Sequence, residues 1–80
     1  MTEDKVYELL KEIFYDVFFR DDIVLTPELT ASDIAGWDSM KQVEIVLSVE
    51  ERFDVKLTTK EVDSLRKVGD LASLVMKKVV

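Results

Sequence analysis

Apolar residues recur at three- and four-residue spacing in three separate stretches of this chain, and sustained two-residue alternation is missing outside Asp54 to Leu57. That combination confines the fold to packed helices. The first stretch begins at Thr2 and sets Val6, Leu9, Leu10, Ile13, Phe14 and Val17 on one face, with Glu8, Lys11, Glu12 and Asp16 on the other. It predicts a helix of about four turns, opened by Thr2 and the acids Glu3 and Asp4 and ended at Phe18 and Phe19. The second stretch runs from Ser39 to about Phe53. The third covers about Val68 to Val79, with Val68, Leu71, Ala72, Val75 and Val79 on one face. Its Lys77 and Lys78 suit a helix C-terminus, whereas Arg66 and Lys67 are badly placed near its start.

Two connections complete the reading. Thr58 followed three residues later by Glu61 fits a capping box and predicts a short third helix. Arg20 to Gly36 has no helical period and contains Pro27, the only proline. This long loop is expected to be pinned to the core by Ile23, Leu25, Leu29 and Ile34, with a helical turn starting near Ser32 or Asp33. The expected fold is all-α, a four-helix bundle with a long loop after the first helix and a short third helix, formed by residues 1–80 as a single domain.

With 80 residues, 48% of them apolar and 35% charged, the chain has room for one small core and no deep catalytic cleft. It has neither cysteine nor histidine, which excludes disulfides and thiolate metal sites and removes the commonest metal ligand and general base. No metal is expected, and carboxylates are the only acid-base candidates. The net charge of −6 disfavours nucleic acid and anionic membranes and favours basic protein partners. Residues 1–37 carry nine acids and three bases, residues 38–63 seven and four, and residues 64–80 one and four. No apolar run approaches the roughly 18 residues of a membrane span, and Met1-Thr2-Glu3-Asp4 does not read as a signal peptide. A cytoplasmic monomer is the expectation.

The segment Gly36-Trp37-Asp38-Ser39-Met40 carries the functional information. It places one serine at the entrance of an amphipathic helix, without the histidine that would make its hydroxyl a nucleophile. Ser39 therefore reads as an attachment site. At 100° per residue, Ile45, Val46, Val49 and Phe53 form the core face, and Met40, Val43 and Leu47 form a second stripe roughly 130° away. Glu44, Glu50, Glu51 and Asp54 surround this second stripe, with Lys41 and Arg52 toward the opposite edge. An exposed apolar strip framed by negative charge suits docking, the apolar contacts giving affinity and the charge giving orientation. The competing reading is that Met40, Val43 and Leu47 widen the core face and meet the long loop. Ser39 has a competing reading too, as an N-cap, with Asp38 beside the positive helix end.

Asp38-Ser39-Met40 with its acidic helix resembles the acyl carrier proteins, whose Asp-Ser-Leu serine is esterified with phosphopantetheine. Val43-Glu44-Ile45-Val46 and Glu50-Glu51-Arg52-Phe53-Asp54-Val55 look like that family's second helix and the turn after it. Asp63-Ser64-Leu65 fits the three-letter pattern more closely, yet Ser64 is followed by Arg66, Lys67 and Gly69 and opens no acidic amphipathic helix. The resemblance implies phosphopantetheine on Ser39, with Asp38 as the preceding acid. It also implies a partner surface made of Met40, Val43, Glu44, Leu47, Glu50, Glu51 and Asp54. The implied partners are a phosphopantetheinyl transferase and acyl-loading and acyl-processing enzymes with basic docking patches.

Met40 in place of leucine, the bulky Trp37, and the cations Lys41, Arg52, Lys56 and Lys60 depart from the family pattern. They point away from the housekeeping fatty-acid pathway and toward a stand-alone carrier for a dedicated biosynthetic cluster. Alternatives are an unmodified acidic adaptor for a basic partner and an aminoacyl or peptidyl carrier. A carboxylate-dependent hydrolase and a calcium loop rank far lower, because no residue spacing specifies either.

Overall fold

The computed structural model describes residues 2–79, and Met1 and Val80 lie outside the described residues. Four α-helices follow in the order α1 (Glu3–Phe18), α2 (Ser39–Phe53), α3 (Thr59–Asp63) and α4 (Val68–Lys78), with a 3₁₀ turn at Ala31–Asp33 in the long loop. No strand forms among the described residues, and extended pairing is limited to an isolated bridge between Thr30 and Lys67. The all-α four-helix architecture read from the sequence is the observed one.

Side chains cap α1, α2 and α3, and the first amides of α4 are met by backbone carbonyls of the long loop. Thr2 caps α1 by accepting the Lys5 N–H at 3.2 Å. Thr58 and Glu61 form the reciprocal capping box of α3, at 3.1 Å and 2.9 Å. The start of α4 tolerates Arg66 and Lys67 because Asp70 turns back to accept both of their amides, at 3.0 Å and 3.3 Å. This helix ends at Lys78, one residue earlier than the apolar spacing suggests, and Val79 closes it.

α1 lies against both α2 and α4. Val6, Leu10, Ile13, Phe14 and Val17 face inward with Ile45, Val49 and Phe53 of α2 and Val68, Leu71, Ala72 and Val75 of α4. Ile34 and Val55 add the loop contributions. Leu9 is only half-buried, and so is Val46, which the helical wheel had assigned to the core. Val46 instead lines a shallow groove toward α3, because α3 is a single short turn that does not cover it.

Ile34 is buried, and Ile23, Leu25 and Leu29 are half-buried against the core, so all four residues expected to pin the loop do so. Backbone bonds add a second anchorage. The first amides of α4, from Val68 and Gly69, donate to Leu29 O and Pro27 O, each at 2.9 Å. A Cβ on Gly69 would sit 2.9 Å from Pro27 O, so glycine is what allows this approach.

Candidate functional site

Three consecutive devices set the start of α2. Gly36 has φ +88°, in the left-handed region, and a Cβ there would meet nothing within 4 Å, so the requirement for glycine is conformational. Trp37 is half-buried, edge-on to Phe14 at 5.3 Å between ring centroids and 6.0 Å from Phe18. Its indole Nε1 donates to Gln42 Oε1 at 2.9 Å, one turn into α2. Asp38, in extended backbone, is the N-cap, and its Oδ1 accepts the Lys41 N–H at 3.0 Å. The cap is thus Asp38, and Ser39 is the first helical residue, exposed and not consumed in the capping role that serine alone would suggest.

The sequence marks Trp37 only as a bulky departure from the family pattern. In the fold it locks the loop-to-helix junction to α1, and the signal available for this was an aromatic residue directly after Gly36. Lys41 is likewise more than an edge cation. Its Nζ donates to Val17 O at 3.2 Å and lies 3.2 Å from Glu44 Oε2. α1 has no basic residue in its last turn, so Lys41 of α2 supplies the cation that its negative end favours. The assignment of Lys41 to the edge away from the acids is corrected accordingly. Arg52 does point away, to Glu12 and Asp16 of α1 at 3.3 Å and 3.6 Å.

Beyond Ser39, the second stripe of α2 is open to solvent. Met40 is 76%, Val43 56% and Leu47 59% exposed, so the reading in which they widen the core does not hold. Glu44, Glu51 and Asp54 are exposed around them. Glu50 is half-buried, and its Oε2 accepts the Leu57 N–H at 2.9 Å, which fastens the turn after α2. Asp54 closes α2 with φ +54°, its N–H donating to Glu50 O. Between α2 and α3 lies a 230 Å³ groove lined by Val43, Val46, Leu47, Leu57 and Val62. A neighbouring 270 Å³ cleft is lined by Trp37, Leu65, Val68 and Leu71, and Gln42 and Val62 belong to both.

Ser64 occupies a different environment. It ends the five-residue α3, and its Oγ donates to Glu61 O at 2.7 Å. An exposed serine at a helix start fits an O-linked phosphodiester, because the partial positive charge of the helix end favours the anion; a serine bonded at a helix end does not.

The family model described as a phosphopantetheine attachment site matches residues 8–75. The solved holo acyl carrier protein of Geobacter metallireducens is similar in fold, with a TM-score of 0.88 and 42% sequence identity, over 92% of this chain and 85% of that one. The acyl carrier protein of Syntrophobacter fumaroxidans is 37% identical over 57 residues, which are 71% of this chain and 70% of that protein. That of Thermosynechococcus vestitus is 28% identical over 79 residues, 99% of this chain and 98% of its own length. Similarity of this extent, meeting a fold in which a helix opens on a free serine, places the chain in the acyl carrier protein family, whose covalent group is phosphopantetheine.

Proposed function

We propose that Ser39 is the residue that carries phosphopantetheine and that the chain has no catalysis of its own. When attached, this group supplies a terminal thiol that holds an acyl group as a thioester. The chain's own residues do the rest. Gly36, Trp37 and Asp38 hold Ser39 at an exposed helix start, and the end of α2 favours the phosphodiester charge. Transfer from coenzyme A forms a bond from Ser39 Oγ to phosphorus, breaks the pyrophosphate link and releases the nucleotide half. The serine proton passes to a base of the transferase, since the chain has no histidine and the neighbouring Asp38 carboxylate is engaged in capping the Lys41 amide. The partners on this reading are that transferase and the enzymes that load and process the cargo in the cytoplasm.

The observation that carries this reading is the position of exposed Ser39 beside the solvent-open strip of Met40, Val43 and Leu47. Glu44, Glu51 and Asp54 give that strip its sign, and the remaining carboxylate oxygen of Glu50 adds to it, so a partner enzyme with a basic patch is steered toward the serine. The test is intact mass after incubation with coenzyme A and a permissive transferase. The wild-type protein and Ser64→Ala should gain one phosphopantetheine, and Ser39→Ala none. Modification of Ser39→Ala overturns the assignment, and a wild-type chain inert to several transferases favours an unmodified adaptor.

A further inference from the structure

Among the described residues, six large apolar side chains are more than half exposed, and they fall into two sets. Met40, Val43 and Leu47 belong to the α2 strip. Tyr15, Phe19 and Val24, exposed by 52%, 84% and 74%, lie on α1 and the loop after it and take no part in the site around Ser39. Phe19 is also held at φ +55°, which costs a side chain of its size more than it would cost glycine or asparagine.

Two of this second set, Tyr15 and Val24, line a groove. A 330 Å³ cleft includes Tyr15, and a 400 Å³ cleft includes Tyr7 and Val24. The two share Lys11, Asp21 and Ile23, so they are continuous between α1 and the loop segment 21–25. Along α1 the lining runs from Asp4 to Asp16, about 18 Å at helical rise, enough for roughly three turns of a docked helix.

The charge of the rim states what such a helix must carry. Asp4, Glu8, Glu12, Asp16, Asp21 and Asp22 line the groove against Lys11, Arg20 and Arg52. Arg20 is bound to Asp22 by two hydrogen bonds of 2.9 Å, Arg52 is shared by Glu12 and Asp16, and Glu8 lies 3.9 Å from Lys5, so the rim keeps a net negative charge with no ion pair at Asp4 or Asp21 among the described residues. A second copy of the chain is a poor occupant. Its one basic segment, residues 64–80, has Val68, Leu71, Ala72 and Val75 turned into its own core and, among its described residues, no large apolar side chain that is more than half exposed.

We propose that this groove is a second docking surface, separate from the α2 strip, for a basic amphipathic helix of a partner protein. Leucine-like side chains fill the floor of Tyr7, Tyr15, Ile23 and Val24, and lysine or arginine side chains meet the carboxylate rim. Such a surface lets the carrier stay tethered to one protein while the α2 strip presents Ser39 to another.

The experiment is an amide chemical-shift titration of the full chain with a short synthetic leucine–lysine amphipathic helix, with its leucine–glutamate counterpart as control. The lysine peptide should shift Tyr7, Tyr15, Ile23 and Val24 as a set distinct from Met40, Val43 and Leu47, and the glutamate peptide should shift neither. Tyr15→Ser/Val24→Ser should weaken binding at the groove by about tenfold and leave transferase loading of Ser39 unchanged. Shifts confined to the α2 strip, equal binding of the glutamate peptide, or the same shifts produced by protein concentration alone would each overturn the proposal. Loading of Ser39 is read separately by mass, so failure of this surface is distinguishable from failure of the attachment assignment.

Discussion

Single residues decide local geometry here through space and charge. At Gly69 an alanine would ordinarily favour a helix by about 1 kcal/mol. Its Cβ would instead be forced to within 2.9 Å of Pro27 O and 3.0 Å of Pro27 Cβ. Gly69→Ala should therefore destabilise the protein by roughly 1–3 kcal/mol in denaturant unfolding, and a neutral or stabilising result would show that the loop yields easily. Glu61 is a charge-dependent case. The Thr58 amide and then Lys78 Nζ, 3.0 Å away, hold its carboxyl below the ordinary value of 4.5. A carboxyl depressed on folding stabilises fully above its ordinary value and loses that contribution as pH falls through its folded value. The melting-temperature gap between the wild type and Glu61→Gln should thus be largest near neutrality and close below about pH 4.5. A gap that is constant with pH would mean the carboxylate charge contributes nothing.

α2 works as an element with two faces. Ile45, Val49 and Phe53 belong to the core, and Phe53 is 7% exposed. Phe53→Ala should cost roughly 3–5 kcal/mol, a large share of the 5–15 kcal/mol typical of a whole domain, and leave the protein largely unfolded. On the opposite face, Glu44→Lys/Glu51→Lys should barely change thermal melting, because exposed Glu44 pairs only with half-buried Lys41, which keeps its bond to Val17 O, and Glu51 is open to solvent. The same double change should slow loading of Ser39 at low salt, with the difference shrinking at high salt. Unchanged low-salt rates would remove the charge-steering role of this face, and unfolding would mean that these carboxylates support the bundle.

For the molecule as a whole, charge opposes compaction. Nine acids and three bases fall within residues 1–37; Lys5 pairs with Glu8 and Arg20 with Asp22, and Arg52 reaches Glu12 and Asp16 from α2. These pairs are exposed, so each contributes little, and the remaining repulsion is screened by added salt. The melting temperature should rise with moderate salt. A flat or falling dependence would indicate that pairing already offsets the repulsion.

Helix positions, the caps of α1 and α3 and the core face of α1 were legible in the sequence because they rest on contacts three and four residues apart, which periodicity records directly. The exposed strip of α2 was legible for the same reason, as was the position of Ser39 at a helix start that Ser64 lacks. The tertiary fold decided everything that depends on residues distant in the chain. Val46 is half-buried because short α3 leaves it a groove, and Lys41 turns toward Val17 because the end of α1 packs beside the start of α2. Trp37 becomes an anchor only where Phe14 and Phe18 surround it, and Gly69 is required only where Pro27 crosses it. The groove along α1 arises from the path of the long loop, which no local spacing encodes; packing against α1 and backbone bonds to α4 set that path.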